Sequence, residues 1–177
     1  LISSGTAPTV AMQAVDGGLR LTNSQSGNGG ALVFGDNDMK NYAGLCTIIM
    51  VLRNVNGATG YTYAGFTSTG YGATGASNNT IAMIEMGAST HYNLIFCDDS
   101  AWGRTATSIA TADPNWHTVK IDIESASTNL TVDGMLEATK SGQPYRSGNP
   151  RVQPAFNGRY YSANAIADIR YCEAYNR

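Results

Sequence analysis

The sequence predicts an all-β chain, a two-sheet antiparallel β-sandwich. Three observations carry that prediction. Residues 117–139 alternate apolar and polar side chains through consecutive short runs, and period-2 alternation turns one strand face to a core and the other to water. Charged residues make up only 14% of the chain, while glycine supplies 20 positions, as suits many short strands joined by turns. No stretch of ordinary helix length reads as a helix.

Taken in order, residues 1–9 are a small polar lead-in with Pro8 disfavouring regular structure. Val10 to Leu21 alternates loosely, broken at Asp16-Gly17-Gly18, and predicts a strand at 18–22. A second follows at Ala31–Phe34, stopped by Gly35-Asp36-Asn37-Asp38. Cys46–Leu52 is apolar on both phases, predicting a central strand covered on both sides or one at the middle of the sandwich. Tyr61–Phe66 puts Tyr61 and Tyr63 on one face, and a long Gly/Ser/Thr/Asn loop, Thr67–Asn79, comes next. Thr80–Met86 and His91–Cys97 read as a hairpin turning at Gly87-Ala88-Ser89. Asp98–Gly103 is a loop with Trp102 at its tip, Thr105–Thr111 a short strand, and Asp113-Pro114-Asn115 a turn.

The meander is the most explicit part. His117, Val119, Ile121 and Ile123 share the core phase; Thr118, Lys120, Asp122 and Glu124 share a solvated one. After the turn at 125–128, Leu130 and Val132 resume the apolar phase. Asp133-Gly134 is a hairpin signal, since both residues tolerate positive φ. A two-residue loop puts Leu136 on the wet face. A three-residue loop, with Gly134 left-handed, pairs Val132 with Leu136 and keeps Leu136 and Ala138 inside, and is the favoured expectation. A second long loop, Ser141–Pro154, carries three prolines; Phe156–Tyr161 and Ile166–Tyr175 close the sheets.

Trp116-His117-x-Val119-x-Ile121 followed by Leu130-x-Val132-Asp133-Gly134-x-Leu136 resembles the concanavalin A-like lectin/glucanase superfamily, the laminin-G-like branch in particular. Ala165–Tyr171 looks like the closing strand of such domains. The resemblance covers roughly the last third of the chain and implies a jelly-roll sandwich; its motif positions build the sandwich and mark no catalytic group.

One domain spanning 1–177 is the expected organisation, a normal size for one core. The net charge of −2 comes with no basic stripe, which argues against nucleic acid. No apolar run approaches the roughly 20 residues that cross a bilayer, and no signal peptide opens the sequence. Cys46, Cys97 and Cys172 lie in or beside apolar runs and are expected as buried thiols, with one disulfide plus a spare thiol as the alternative.

A retaining glycosidase needs two carboxylates about 5 Å apart. Asp122-x-Glu124 is the nearest approach, and Lys120 stands where the superfamily's glucanases carry a first glutamate. Glu85 is a lone carboxylate in an apolar strand, expected at an edge or paired. Arg170–Asn176 is faintly similar to the tyrosine-rich strand of alginate-lyase-like members, whose other markers are missing. His117 reads as a packed ring, and the expectation is that the chain is no enzyme.

Sugar binding needs flat apolar faces beside planar hydrogen-bonding groups. Trp102, Tyr145 with Arg146, Arg159 with Tyr160 and Tyr161, and His91 are the candidates; against each stands the ordinary use of tyrosine as a strand residue with a wet tip. Asp36, Asp38, Asp98 and Asp99 offer the hard oxygens that calcium takes, although such clusters are turn formers first.

The leading expectation is a non-catalytic surface module, of a phage, virus or cell, that binds glycans or neighbouring capsid or tail subunits and works outside the cell or on a virion. A homo-oligomer is within that expectation. The alternatives are a purely structural assembly protein without sugar binding, and a polysaccharide hydrolase or lyase of the same fold.

Overall fold

The computed structural model describes residues 2–4, 9–13, 17–23, 31–33, 45–55, 61–67, 81–87, 89–97, 102–142, 153–159 and 165–177. They form fourteen strands and, among the described residues, no helix. In chain order these are β1 (Ile2–Ser4), β2 (Thr9–Gln13), β3 (Gly18–Asn23), β4 (Ala31–Val33), β5 (Cys46–Asn54), β6 (Tyr61–Thr67), β7 (Ile81–Met86), β8 (His91–Cys97), β9 (Trp102–Ala110), β10 (His117–Ile123), β11 (Ser127–Val132), β12 (Met135–Ser141), β13 (Gln153–Arg159) and β14 (Ala165–Asn176). Two seven-stranded antiparallel sheets result: β1-β4-β13-β6-β7-β8-β9, and β12-β11-β10-β5-β14-β3-β2.

The predicted alternation sets the core. Cys46, Ile48, Met50 and Leu52 of β5, Val119 and Ile121 of β10, and Leu130 and Val132 of β11 are buried from the second sheet. Ala64, Phe66, Ala82, Ile84, Met86, Tyr92 and Leu94 meet them from the first. β5 is central, between β10 and β14, but it is not covered on both faces: Ile49 and Val51 are half-buried. Cross-strand neighbours shelter them in place of a third layer, Ile49 between Lys120 and Glu173, Val51 between Thr118 and Tyr171. The opposite phase of β10 departs from expectation too. Asp122 is buried, accepting a hydrogen bond from Thr47 Oγ1 at 2.6 Å and pairing with Lys120 at 2.7 Å, while Arg177 pairs with Glu124 at 2.6 Å.

The Asp133-Gly134 hairpin has the shorter loop. Val132 pairs with Met135, and φ is +50° at Asp133 and +83° at Gly134, the two left-handed residues of a type I′ turn. The side chain of Asp133 holds this geometry: Oδ1 accepts the Thr118 N–H at 2.8 Å, and Oδ2 lies 2.7 Å from His117 Nδ1. Leu136 is therefore outside, 65% exposed, and the expectation that it joins the core is wrong. Ala138 is buried as expected, because a register shift inserts one residue: Thr131 faces Leu136, and Leu130 faces Ala138. The bulged residue, Glu137, reaches across the sandwich. Its carboxylate accepts bonds from Ser108 N–H at 2.7 Å and Ser108 Oγ at 2.9 Å, tying edge strand β12 to edge strand β9.

Trp102 opens a nine-residue strand in place of tipping a loop, and Cys97 is its partner across the hairpin. His117 is the packed ring expected, edge-on to Tyr92 at 5.8 Å. Cys46 and Cys172 form no disulfide, the first buried and the second half-buried. The Cys97 side chain lies outside the described residues, as do the loops predicted at Thr67–Asn79 and Ser141–Pro154 over most of their length.

At Gly65 φ is +145°, and a Cβ there would stand 2.5 Å from Ala82 O, 2.8 Å from Met83 Cα and 2.9 Å from Ile121 Cδ1. Gly65→Ala is expected to cost about 3 kcal/mol or more through strain and overlap, lowering the melting midpoint by roughly 6–12 °C; an unchanged midpoint would contradict this packing. Leu136→Lys is expected to leave urea-unfolding stability within about 0.5 kcal/mol of the parent, whereas Leu130→Ala loses about 2–5 kcal/mol. Equal losses would return Leu136 to the core.

Candidate functional site

The first sheet has a second face, turned away from the core, and polar chemistry gathers on it. β6, β7, β8 and β9 are adjacent, and their registers place Tyr63 opposite Glu85, Glu85 opposite Asn93, and Ile95 opposite Arg104. Alternation does the rest: Ala64, Ile84 and Leu94 take the core side, so Tyr63, Glu85 and Asn93 take the other.

Glu85 is the centre of this group. It is fully buried, away from any sheet edge, and paired: Oε2 accepts from Arg104 Nη2 at 2.8 Å, and Oε1 from Asn93 Nδ2 at 3.1 Å. The Tyr63 hydroxyl donates to the same carboxylate. Burial pushes the Glu85 carboxyl above its ordinary value; Arg104, then Tyr63 and Asn93, pull it part of the way back. Tyr63 is pushed up as well, first by burial and then by the Glu85 charge. Burial works against the Arg104 charge, but Glu85 outweighs it, so the net direction is upward. At neutral pH the tyrosine keeps its proton and the arginine its charge.

Arg104 is the exposed end of the network, its side chain 38% accessible. Its guanidinium lies 5.9 Å from the centroid of the Tyr61 ring, and Tyr61 stacks on Tyr63 with centroids 6.0 Å apart and planes within 7°. A planar donor thus sits beside an aromatic ring. Asn93 also donates to the His91 carbonyl at 3.0 Å, linking the network to the start of β8. There His91 is exposed, its Nδ1 3.0 Å from Thr90 Oγ1.

Of the residues singled out from sequence, His91 neighbours this network. Arg159 ends β13 opposite Tyr61, and Trp102 lies two positions before Arg104 on β9; their side chains are outside the described residues. Tyr145, Arg146, Tyr160, Tyr161 and the calcium candidates Asp36, Asp38, Asp98 and Asp99 also lie outside them. Asp122 belongs to the other sheet and Glu124 directly follows its strand β10, both engaged as described above. Tyr61, Tyr63, Asn93 and Arg104 were not read as site residues. The available signals were the Tyr61/Tyr63 alternation and a carboxylate stranded in an apolar strand, which requires a partner.

No family model matches the sequence, and no curated protein matches it. Solved structures match in fold. An alginate lyase from Corynebacterium sp. superposes with a TM-score of 0.61 at 13% identity, over 97% of this chain and 82% of that one. A glycoside hydrolase family 16 endo-glucanase from Bacteroides ovatus gives 0.63 at 12%, over 97% and 86%. The binding domain of botulinum neurotoxin DC gives 0.62 at 12%, over 96% of this chain and 42% of that one. Carbohydrate-active enzymes and binding domains therefore share this architecture, and at such identity the likeness is one of fold. A virion or phage role gains no support from these structures. The fold itself is that of a concanavalin A-like jelly-roll β-sandwich.

Proposed function

We propose that the chain is a carbohydrate-binding β-sandwich without catalytic activity of its own. The saccharide lies on the outer face of the first sheet, around Tyr61 and Arg104. The observation that carries this reading is Arg104, held by the buried Glu85 carboxylate and set beside the Tyr61 ring. A pyranose offers an apolar ring face and a rim of hydroxyls. An aromatic ring beside a fixed planar donor matches both, and the fold is shared with carbohydrate-active proteins. Such a module works where glycans are displayed, outside a cell.

Catalysis is disfavoured by how the ionisable groups are used. Glu85 is the sole carboxylate among the described residues of this face, and glycoside hydrolysis draws on two. Its oxygens are occupied by Arg104, Asn93 and Tyr63, and Tyr63, protonated at neutral pH, is no base. A second reading, a polysaccharide lyase or hydrolase, draws on the tyrosine, arginine and histidine brought near one another here.

A glycan array followed by affinity electrophoresis tests the proposal. Tyr61→Ala and Arg104→Ala are each expected to weaken binding roughly tenfold, about 1.4 kcal/mol; Tyr61→Ala leaves the melting midpoint little changed, whereas Arg104→Ala also lowers it, because the buried Glu85 carboxylate loses its charged partner. An array blank at high protein concentration would overturn it. Unsaturated uronate or new reducing ends released from a polysaccharide panel would favour the enzyme instead.

The supporting carboxylate has its own signature. A folded-state carboxyl raised above 4.5 binds its proton more tightly in the native than in the unfolded chain. The stability it contributes is thus full below pH 4.5 and declines as pH rises through the folded value. Relative to Glu85→Gln, the parent is expected to lose urea-unfolding stability as pH rises above 4.5; a difference constant with pH would count against this account.

A further inference from the structure

β5 is apolar on both phases, yet only one of its faces meets the core. Ile48, Met50 and Leu52 are buried there, while Ile49 and Val51 turn to the outer face and stay half-buried. Strands that are apolar on both phases belong to sheets covered on both sides. Among the described residues, no third layer covers this face.

The registers show what surrounds the two outward positions. Three rows cross the sheet from β14 through β5 to β10: Tyr171-Val51-Thr118, Glu173-Ile49-Lys120 and Tyr175-Thr47-Asp122. Tyr171 is 46% exposed and Tyr175 37%, and Glu173 is exposed between them. Glu173 accepts a bond from the Tyr171 hydroxyl. Lys120 pairs with Asp122 and still leaves its side chain 41% accessible. The patch therefore has an apolar centre line, a cation on its β10 flank and an anion on its β14 flank. At one end it is bounded by Arg20 and Arg53, which bind the buried Asp168 carboxylate.

A flat patch with unlike charges on its two flanks is complementary to its own copy. Turning a second chain about a twofold axis that runs along β5 keeps each row in place and exchanges the flanks. Ile49 and Val51 then meet their own counterparts. Lys120 faces Glu173 of the second copy, Tyr175 faces its Asp122, and Tyr171 faces its Thr118. Each contact occurs twice, as an isologous interface requires. A twofold axis across the strands would instead set Lys120 against Lys120 and Glu173 against Glu173. We propose that two copies of this chain pair through the outer faces of their second sheets, stacked in the aligned manner of a sandwich. The second copy supplies the layer that β5 lacks. The pairing does not rest on the saccharide reading, and it leaves the Tyr61/Arg104 faces pointing outward on opposite sides of the pair.

Sedimentation equilibrium of the unaltered chain is expected to give twice the chain mass at high protein concentration; a monomer throughout would overturn the proposal. Lys120→Glu and Glu173→Lys each set like charges face to face, and each is expected to weaken the pairing roughly tenfold or more. Mixed in equal amounts, these two variants place unlike charges at both contacts, and dimers are expected to return. Single variants that pair as tightly as the parent, or a mixture that stays monomeric, would refute this geometry. Lys120→Glu also loses its bond to Asp122. Should it fail to fold by circular dichroism, the exchange moves to the axis itself. Val51→Glu and Val51→Lys each repel their own copy and are expected to pair only when mixed; a mixture without dimers would refute the proposal equally.

Discussion

The sandwich depends on how closely its two sheets approach, and Gly65 marks where β6 admits a side chain from the other layer. Ile121 Cδ1 comes so near this backbone that no Cβ fits between them. Close packing of this kind fixes the position of β6 relative to β10, because interiors tolerate neither overlap nor voids. The reverse side of β6 carries Tyr61 and Tyr63. The geometry of the polar face is thus inherited from a contact on the face opposite to it.

Much of this architecture was legible in the residues. Alternation in 117–132 gave the core phase of Val119, Ile121, Leu130 and Val132 correctly, and all four are buried. It failed at Leu136, because phase was assumed to run unbroken through the hairpin. A bulge restores the phase at Ala138 instead, and nothing in a two-letter apolar/polar pattern distinguishes a longer turn from a shorter turn plus a bulge. The preference of Asp133 for its own turn depends on partners at Thr118 and His117, fifteen or so residues away, which a local reading does not weigh. Asp122 was placed on the right face but in the wrong medium, since Thr47 and Arg177 come from distant parts of the chain.

The polar face illustrates the same division. Strands β6 to β8 were anticipated, and the alternation within them puts Tyr63, Glu85 and Asn93 on one side; β9 was anticipated only from Thr105, so Arg104 lay outside the expected strand. Which of those residues meet is a matter of register between strands, and register is set by pairing. Glu85 signalled its need for a partner without naming it; Arg104, nineteen residues on, supplies the charge. Exposed tyrosines and arginines were easier to notice in loops, yet this cluster stands on strands, where ladder pairing restrains each side chain more firmly than a loop does.

The bulge that displaces Leu136 has one more effect. By turning Glu137 toward Ser108 it fastens the rims of both sheets together along one flank of the sandwich. An open rim is a template on which a foreign strand can extend a sheet into an aggregate. With β9 and β12 clasped to each other, a newcomer approaching either meets its neighbour first. A small irregularity in one hairpin thus doubles as a guard against uncontrolled polymerisation on that side of the molecule.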